Sequence, residues 1–244
     1  MRFFGPDIVT SLSQPKTRFQ EFDENIWVKW IPYRFIGLPV GTRMTVVRLP
    51  DGQLWVHSPL RLDDRLVTEL QALGNVKYLI APNRTHDLYL EDFTAVAGAE
   101  AFASPVLLKT QAQLPWKGPL VGSETPAWCA TIDQLLIEGY DWLSEVVFFH
   151  RPSLTLIIAD LLECYDEHTT SSKAFLWLAA RAGCYHRYSL TRDQRFLVRD
   201  RAAFRASIVR VLKWPFDRII LSHGPLVQKN GHAIFKEAFD WVLC

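Results

Sequence analysis

The chain has 244 residues, a length that suits one large domain or two modest ones. Its 27 basic and 26 acidic residues nearly cancel, and the arginines clustered at 187–205 are interrupted by Asp193 and Asp200, which argues against nucleic acid as a partner. No apolar run reaches the roughly 18 residues of a membrane span, and the N-terminus lacks the pattern of a signal peptide. We therefore expect a cytoplasmic protein with no membrane partner, whose scattered cysteines are reduced thiols.

The first half of the chain predicts strands that surround one helix. Weak patterning at 1–24 indicates a lead-in segment before a single domain over 25–244. The elements expected next are a strand at Asn25–Ile31, a break at Pro32–Pro39, a hairpin of Thr42–Leu49 with Gln53–His57, a helix at Leu62–Leu73 and a strand at Val76–Ala81. Gly52 completes the hairpin turn and Gly74 stops the helix. A strand, helix and strand joined by short links predict parallel pairing across the helix.

The second half continues this alternation. The elements expected are a helix near 88–97, a strand at Glu100–Ala103, a helical turn near 105–110, an irregular loop over 111–130, strands at Ile132–Ile137, Glu145–His150, Leu154–Ala159 and Arg218–Leu221, and helices at Ser171–Ala182, Arg199–Leu212 and Ala233–Leu243. The strands on either side of Arg151–Ser153 predict a hairpin. In this hairpin, His150 lies opposite about Leu154 and Glu145 opposite about Ala159.

Four strand ends carry polar residues. They are Val56-His57-Ser58-Pro59, Ala81 to Asp87, Ile158-Ala159-Asp160 and Leu221-Ser222-His223-Gly224. Chemistry in open α/β sheets sits beyond the carboxyl ends of strands, where loops can present polar groups. The strand rise of about 3.3 Å places His150 some 20 Å from Asp160, which removes His150 from the candidates and keeps Glu145.

This order of elements over roughly 25–230 resembles the metallo-β-lactamase-like superfamily, and more narrowly an uncharacterised bacterial branch of it. The segments that carry the resemblance are His57-Ser58-Pro59, Ala81-Pro82-Asn83 with His86, Glu145 through His150, and Thr155 through Asp160. The resemblance implies an α/β fold, a four-layer αββα sandwich. It also implies a metal centre built on an H-x-H-x-D-H motif, a later Gly-His, a bridging Asp and a final His.

Only part of that ligand set is present. Asn83, Thr85 and Leu88 stand where three histidines belong, and Tyr140 follows Gly139 in place of the fourth. The ligand positions that match are Asp87, Asp160 and His223. The resemblance thus implies an altered, mononuclear site for Zn, Mn or Fe, with His86 or His57 completing the shell.

Two functions stay open at this stage. One is a metal-dependent hydrolase of unknown substrate, in which Asp160 or Glu145 takes a proton and Asn83 and Tyr140 contact the substrate. The other is a non-catalytic relative without metal that acts as a small-molecule-binding or scaffold module and could assemble as a homodimer. A zinc site of Cys164, His168, Cys184 and His186 is disfavoured because the Ser171–Ala182 helix separates its halves. The chain also lacks the motifs of serine hydrolases and phosphate-binding loops.

Overall fold

The computed structural model describes residues 18–87, 89, 90, 93, 98–121 and 126–244. The strands are β1 (Gln20–Asp23), β2 (Ile26–Ile31), β3 (Arg34–Phe35), β4 (Leu38–Pro39), β5 (Thr42–Arg48), β6 (Gln53–His57), β7 (Asn75–Ala81), β8 (Glu100–Ala103), β9 (Trp116–Pro119), β10 (Ile132–Leu136), β11 (Val146–His150), β12 (Thr155–Ile157) and β13 (Arg218–Ile220). The helices are α1 (Asp64–Leu73), α2 (Pro105–Thr110), α3 (Lys173–Ala182), α4 (Arg192–Phe196), α5 (Arg201–Val211), α6 (Gly231–Ala238) and α7 (Asp240–Leu243).

Two sheets form the centre of the molecule. The first has the order β1-β2-β5-β6-β7-β8-β9 and the second the order β10-β11-β12-β13, while β3 and β4 make a separate hairpin. β6, β7, β8 and β9 are parallel neighbours, as are β12 and β13. Their carboxyl ends therefore lie at one edge of each sheet, where loops can bring polar groups together.

The hydrophobic pattern of the strands makes four layers. In β11, Val146 and Phe148 pack into the core between the sheets, whereas Val147 and Phe149 pack against the helices behind the second sheet. In β7, Tyr78 and Ile80 face the other sheet, and Leu79 faces the cluster that includes residues of α1. Because alternate side chains of a strand point to opposite faces, each sheet is buried on both sides. The predicted αββα sandwich is confirmed.

Several local predictions were wrong in extent. β9 lies inside the segment predicted as an irregular loop, and β1 lies within the predicted lead-in. The closing helix is divided at Phe239, whose φ of −110° and ψ of 10° interrupt the helical path between α6 and α7. α4 was not predicted because its five residues are too few to show a helical repeat. The helix predicted near 88–97 falls largely outside the described residues.

The hairpin of β11 and β12 is shifted by one residue from the predicted register. His150 pairs with Thr155 rather than Leu154, because Leu154 has a positive φ of 52° and belongs to the turn. His150 is at the turn end of β11, where its Nδ1 lies 2.7 Å from Ser153 Oγ. Extending the register places Glu145 opposite Asp160, so these two carboxylates lie close together.

Candidate metal centre

Three turns at the carboxyl ends of strands deliver the candidate ligands. His86 follows β7 of the first sheet, whereas Asp160 and His223 follow the parallel neighbours β12 and β13 of the second. The turn after β7 is attached to the second sheet by two backbone hydrogen bonds, from Val146 N to Pro82 O at 2.8 Å and from Arg84 N to Leu143 O at 3.2 Å. The two sheets therefore meet at this edge.

His86, Asp160 and His223 form a group whose ligand atoms all lie within 4.8 Å of one another. Asp160 Oδ1 is 3.3 Å from His86 Nε2 and 2.9 Å from His223 Nε2, and the two Nε2 atoms are 3.4 Å apart. Ligands about 2.0–2.2 Å from a tetrahedral cation lie about 3.3–3.6 Å from each other. Two of the three separations match that spacing and are long for hydrogen bonds. This donor set of two imidazoles and one carboxylate fits one divalent cation such as Zn or Fe(II).

His223 is oriented by the start of β5. Its Nδ1 donates to Gly41 O at 2.7 Å, which leaves Nε2 directed at Asp160. The guanidinium of buried Arg43 donates to the carbonyls of Leu221 and Gly224 on either side of this histidine. A backbone acceptor on the second ring nitrogen is the usual way that proteins orient a metal-binding histidine.

The second oxygen of Asp160 is already occupied by protein donors. Asn83 Nδ2 donates to Asp160 Oδ2 at 2.9 Å, and the Thr85 hydroxyl lies within hydrogen-bond distance of the same oxygen. Asn83 and Thr85 are the residues that stand at two positions where the resemblance expects histidine ligands. In this structure both side chains serve as hydrogen-bond partners of the Asp160 carboxylate.

Glu145 lies behind Asp160 and is fully enclosed. Its carboxylate accepts the backbone N–H groups of Ala159, Asp160 and Leu161 at 2.8–3.0 Å, together with Asn83 Nδ2 at 2.8 Å. Burial and the charge of Asp160 raise the pKa of Glu145 to about 8, against the effect of these donors. Glu145 is 1% exposed and does not line the cavity beside the ligand group, so it positions the turn that carries Asp160 and does not contact a substrate.

The charges of the ligand group stabilise each other. Burial disfavours the ionised form of Asp160, but His86 and His223 outweigh it and hold the pKa of this carboxyl well below its usual value. Burial also opposes charge on His223, yet Asp160 raises the pKa of this imidazole to about 9. A positive charge at this point, from a proton or a metal ion, offsets the buried carboxylate.

Besides Glu145, four other predicted site residues lie outside the ligand group. Asp87 points away, and its carboxylate accepts a hydrogen bond from Gln111 Nε2. His57 is buried beside Trp55 and Phe148, and its Nδ1 lies 3.1 Å from Ser58 Oγ. Tyr140 is 1% exposed and does not line the cavity, so it cannot contact a substrate there. Asn83 is also fully buried, which corrects its expected contact with a substrate.

A cavity of about 370 Å³ opens beside the ligand group. Glu163 lines it, with its carboxylate accepting from Tyr165 Oη at 3.0 Å and Gln194 Nε2 at 2.6 Å. Burial raises the pKa of Glu163 to about 7. Sequence reasoning missed Glu163 because it lies past a strand end with no recognised motif. The one signal was an acidic residue in the otherwise apolar segment 161–165.

Residues 24–173 match the family described as Domain of unknown function (DUF4336), and no curated protein matches the sequence. Several solved structures share the fold. A metallo-beta-lactamase from Pontibacter korlensis is 13% identical with a TM-score of 0.64, over 92% of this chain and 98% of that one. The DIM-1 metallo-beta-lactamase is 16% identical with a TM-score of 0.63, and TMB-1 is 13% identical with a TM-score of 0.66. Each of these two matches covers 92% of this chain, together with 96% of DIM-1 and 97% of TMB-1. None of the helices in the described residues is long and apolar enough to cross a bilayer.

Proposed function

This chain belongs to the family Domain of unknown function (DUF4336) and has the metallo-β-lactamase fold, and we propose that it is a hydrolase-like protein that holds one divalent metal ion. The observation that carries the proposal is the convergence of His86, Asp160 and His223 at ligand-to-ligand spacing. A divalent cation there would polarise a carbonyl or phosphoryl oxygen and make water more acidic. The orientation of His223 by Gly41 supports this role.

One cation rather than two follows from the hydrogen bonds of Asp160. A second cation would need Oδ2, which already accepts from Asn83 Nδ2. It would also need further ligands, yet the positions of two expected histidines hold an amide and a hydroxyl. A stoichiometry near one ion per chain is therefore expected.

Glu163 is the residue that we assign to proton transfer. Its carboxylate lines the cavity that contains Asp160 and His223, whereas Glu145 is enclosed by four donors and unable to reach a substrate. In ester hydrolysis, the water oxygen bonds to the carbonyl carbon, the bond to the alcohol oxygen breaks, and a proton from water ends on that alcohol. Glu163 would take this proton and return it.

Metal content tests the proposal. Protein purified without a histidine tag is expected to carry about one Zn, Mn or Fe per chain by elemental analysis. The substitutions His86→Ala, Asp160→Ala and His223→Ala should each remove it. The control Asp87→Asn should retain it, because Asp87 bonds Gln111 outside the group. A folded protein that neither carries nor takes up these metals would refute the proposal. Two ions per chain would refute only the statement that the site holds a single ion.

A non-catalytic binding module is the second candidate, favoured by the replacement of ligands at Asn83 and Thr85. A panel of ester, lactone, thioester and phosphoester substrates separates the two functions. Turnover that falls in Glu163→Gln, with metal content unchanged, supports the enzyme. A metal-loaded protein that turns over none of these classes supports the module.

A further inference from the structure

The cavity beside the ligand group has mostly apolar walls. The β3–β4 hairpin contributes Phe35, Ile36 and Leu38 to the lining, and α3 contributes Phe175 and Leu178. Ile36 at the hairpin tip is 86% exposed, so the apolar lining continues to the mouth of the cavity. About 370 Å³ lies within the range of small-molecule sites, and such a lining favours a ligand with an apolar body.

The charged residues of the cavity all carry carboxyl groups or imidazoles. Asp160, Glu163 and Asp193 line it, and no lysine or arginine does so among the described residues. Arg84 lies nearby, but its Nε donates to the Trp142 carbonyl and its guanidinium lies over the Trp142 ring. A ligand carboxylate or phosphate would therefore find only the imidazoles of the ligand group, and that of His223 is already paired with Asp160.

We infer that this site takes an uncharged ligand with an apolar body and discriminates against carboxylates and phosphates of the same size. The inference rests on the proposed function only in placing the reacting group of the ligand at the metal centre. One divalent cation would be matched by Asp160 and Glu163, and Asp193 adds a further negative charge at the mouth. An anionic ligand would thus meet net repulsion and lose its hydration without compensation.

Binding of matched ligands tests the inference. Calorimetric titrations would compare decanamide, decanoate, decyl phosphate and decylamine, each below its micelle concentration, on the protein as purified and after chelator treatment. Decanamide is expected to bind about tenfold or more tightly than the two anions, a difference of about 1.4 kcal/mol or more. On the protein as purified, anions that bind as tightly as decanamide, or decylamine that binds more tightly, would overturn it.

The two states of the protein separate this inference from the proposal of a metal. Decanamide binding that persists in metal-free protein supports the ligand class even if no metal is ever found. Failure of decanamide to bind protein that carries its metal overturns the ligand class and leaves the metal proposal standing.

Paired variants locate the binding. Leu178→Lys adds a cation to the cavity wall and should raise decanoate affinity about fivefold or more, whereas Trp177→Lys, on an exposed residue outside the lining, should not. Ala182→Phe, which fills part of the cavity, should abolish decanamide binding, and Ala180→Phe on the exposed face of the same helix should preserve it. Equal effects within either pair would place the binding elsewhere and refute the inference.

Discussion

Replacing Asn83 with aspartate is the sharpest test of the network that holds Asp160. The side chain of Asn83 is fully buried, and its Nδ2 donates to Glu145 Oε2 at 2.8 Å and to Asp160 Oδ2 at 2.9 Å. The network assigns this amide orientation, because the reversed amide would place its oxygen against two carboxylate oxygens. Asn83→Asp keeps the shape of the side chain and changes both donors into one acceptor.

The expected loss of stability follows from these two contacts. The hydrogen bond to the charged Asp160 contributes about 1.5–3 kcal/mol, and the bond to Glu145, whose pKa of about 8 leaves it largely neutral at pH 7, contributes about 0.5–1.5 kcal/mol; losing both would cost about 2–4.5 kcal/mol. The introduced carboxyl can bind a proton and keep one donor, but protonation at pH 7 of a group with an ordinary pKa of about 3.9 itself costs about 4 kcal/mol, so the loss is expected to be at least about 2 kcal/mol. That is a large fraction of the roughly 5–15 kcal/mol that stabilises a typical domain.

Urea unfolding followed by tryptophan fluorescence measures the loss. The control is Asn75→Asp, the same substitution at an exposed position of β7, which should change stability by less than about 0.5 kcal/mol. The folded state raises the pKa of the introduced carboxyl above its unfolded value of about 3.9, so the deficit should shrink as the pH falls toward that value. A loss below about 1 kcal/mol at neutral pH would show that Asn83 does not bond both carboxylates.

Two further predictions concern the fold around the site. Burial lowers the pKa of His150 to about 4, so the unfolded chain binds more protons than the folded one between about pH 6.5 and 4. Stability should therefore fall by up to about 3 kcal/mol as the pH drops across that window, and unfolding curves of His150→Gln should lack most of this decline. Gly224→Ala should destabilise by more than about 2 kcal/mol and reduce metal content, since a Cβ at its φ of +129° would lie 2.1 Å from Cys164 O. The control is Gly52→Ala, whose φ of +83° is also unfavourable but whose added Cβ would meet open space, so it should destabilise by only about 1 kcal/mol. Equal losses of stability in the two variants, measured by thermal unfolding, would contradict this reasoning.

Local pattern was sufficient to predict most of the elements. The hairpin of β5 and β6 follows from turn residues at Pro50–Gly52, and α1 follows from leucines at helical spacing that end at Gly74. The parallel pairing of β6 and β7 follows from the helix between them. These features depend on neighbours within about two dozen residues of the chain, which is why the sequence alone reveals them.

The approach of two ligand turns could also be predicted. Asp160 and His223 directly follow β12 and β13, and parallel pairing brings the ends of such strands to the same edge. The structure brings His86, Asp160 and His223 together there, whereas Asp87, which was expected to join Asp160 and His223, bonds Gln111. Whether these residues hold a metal stays a prediction.

The direction of each side chain within a turn was decided only by tertiary contacts. His86 and Asp87 are adjacent, yet one joins the ligand group and the other bonds Gln111, because the turn after β7 is fixed by the second sheet at Leu143 and Val146. Irregular backbone has no repeat from which such directions could be deduced.

The cavity likewise depends on segments that are far apart in the chain. The amino-acid sequence by itself determined most of the strands and helices and the polar residues at the strand ends, because those depend on local spacing. Only the tertiary arrangement, which brings residues of the β3–β4 hairpin and of α3 to the same cavity, decided that the ligand group opens into an apolar cavity lined by Glu163. The enclosure of Glu145 and Asn83 was likewise decided only by the tertiary structure, since their hydrogen-bond partners lie as far as 77 residues away in the chain.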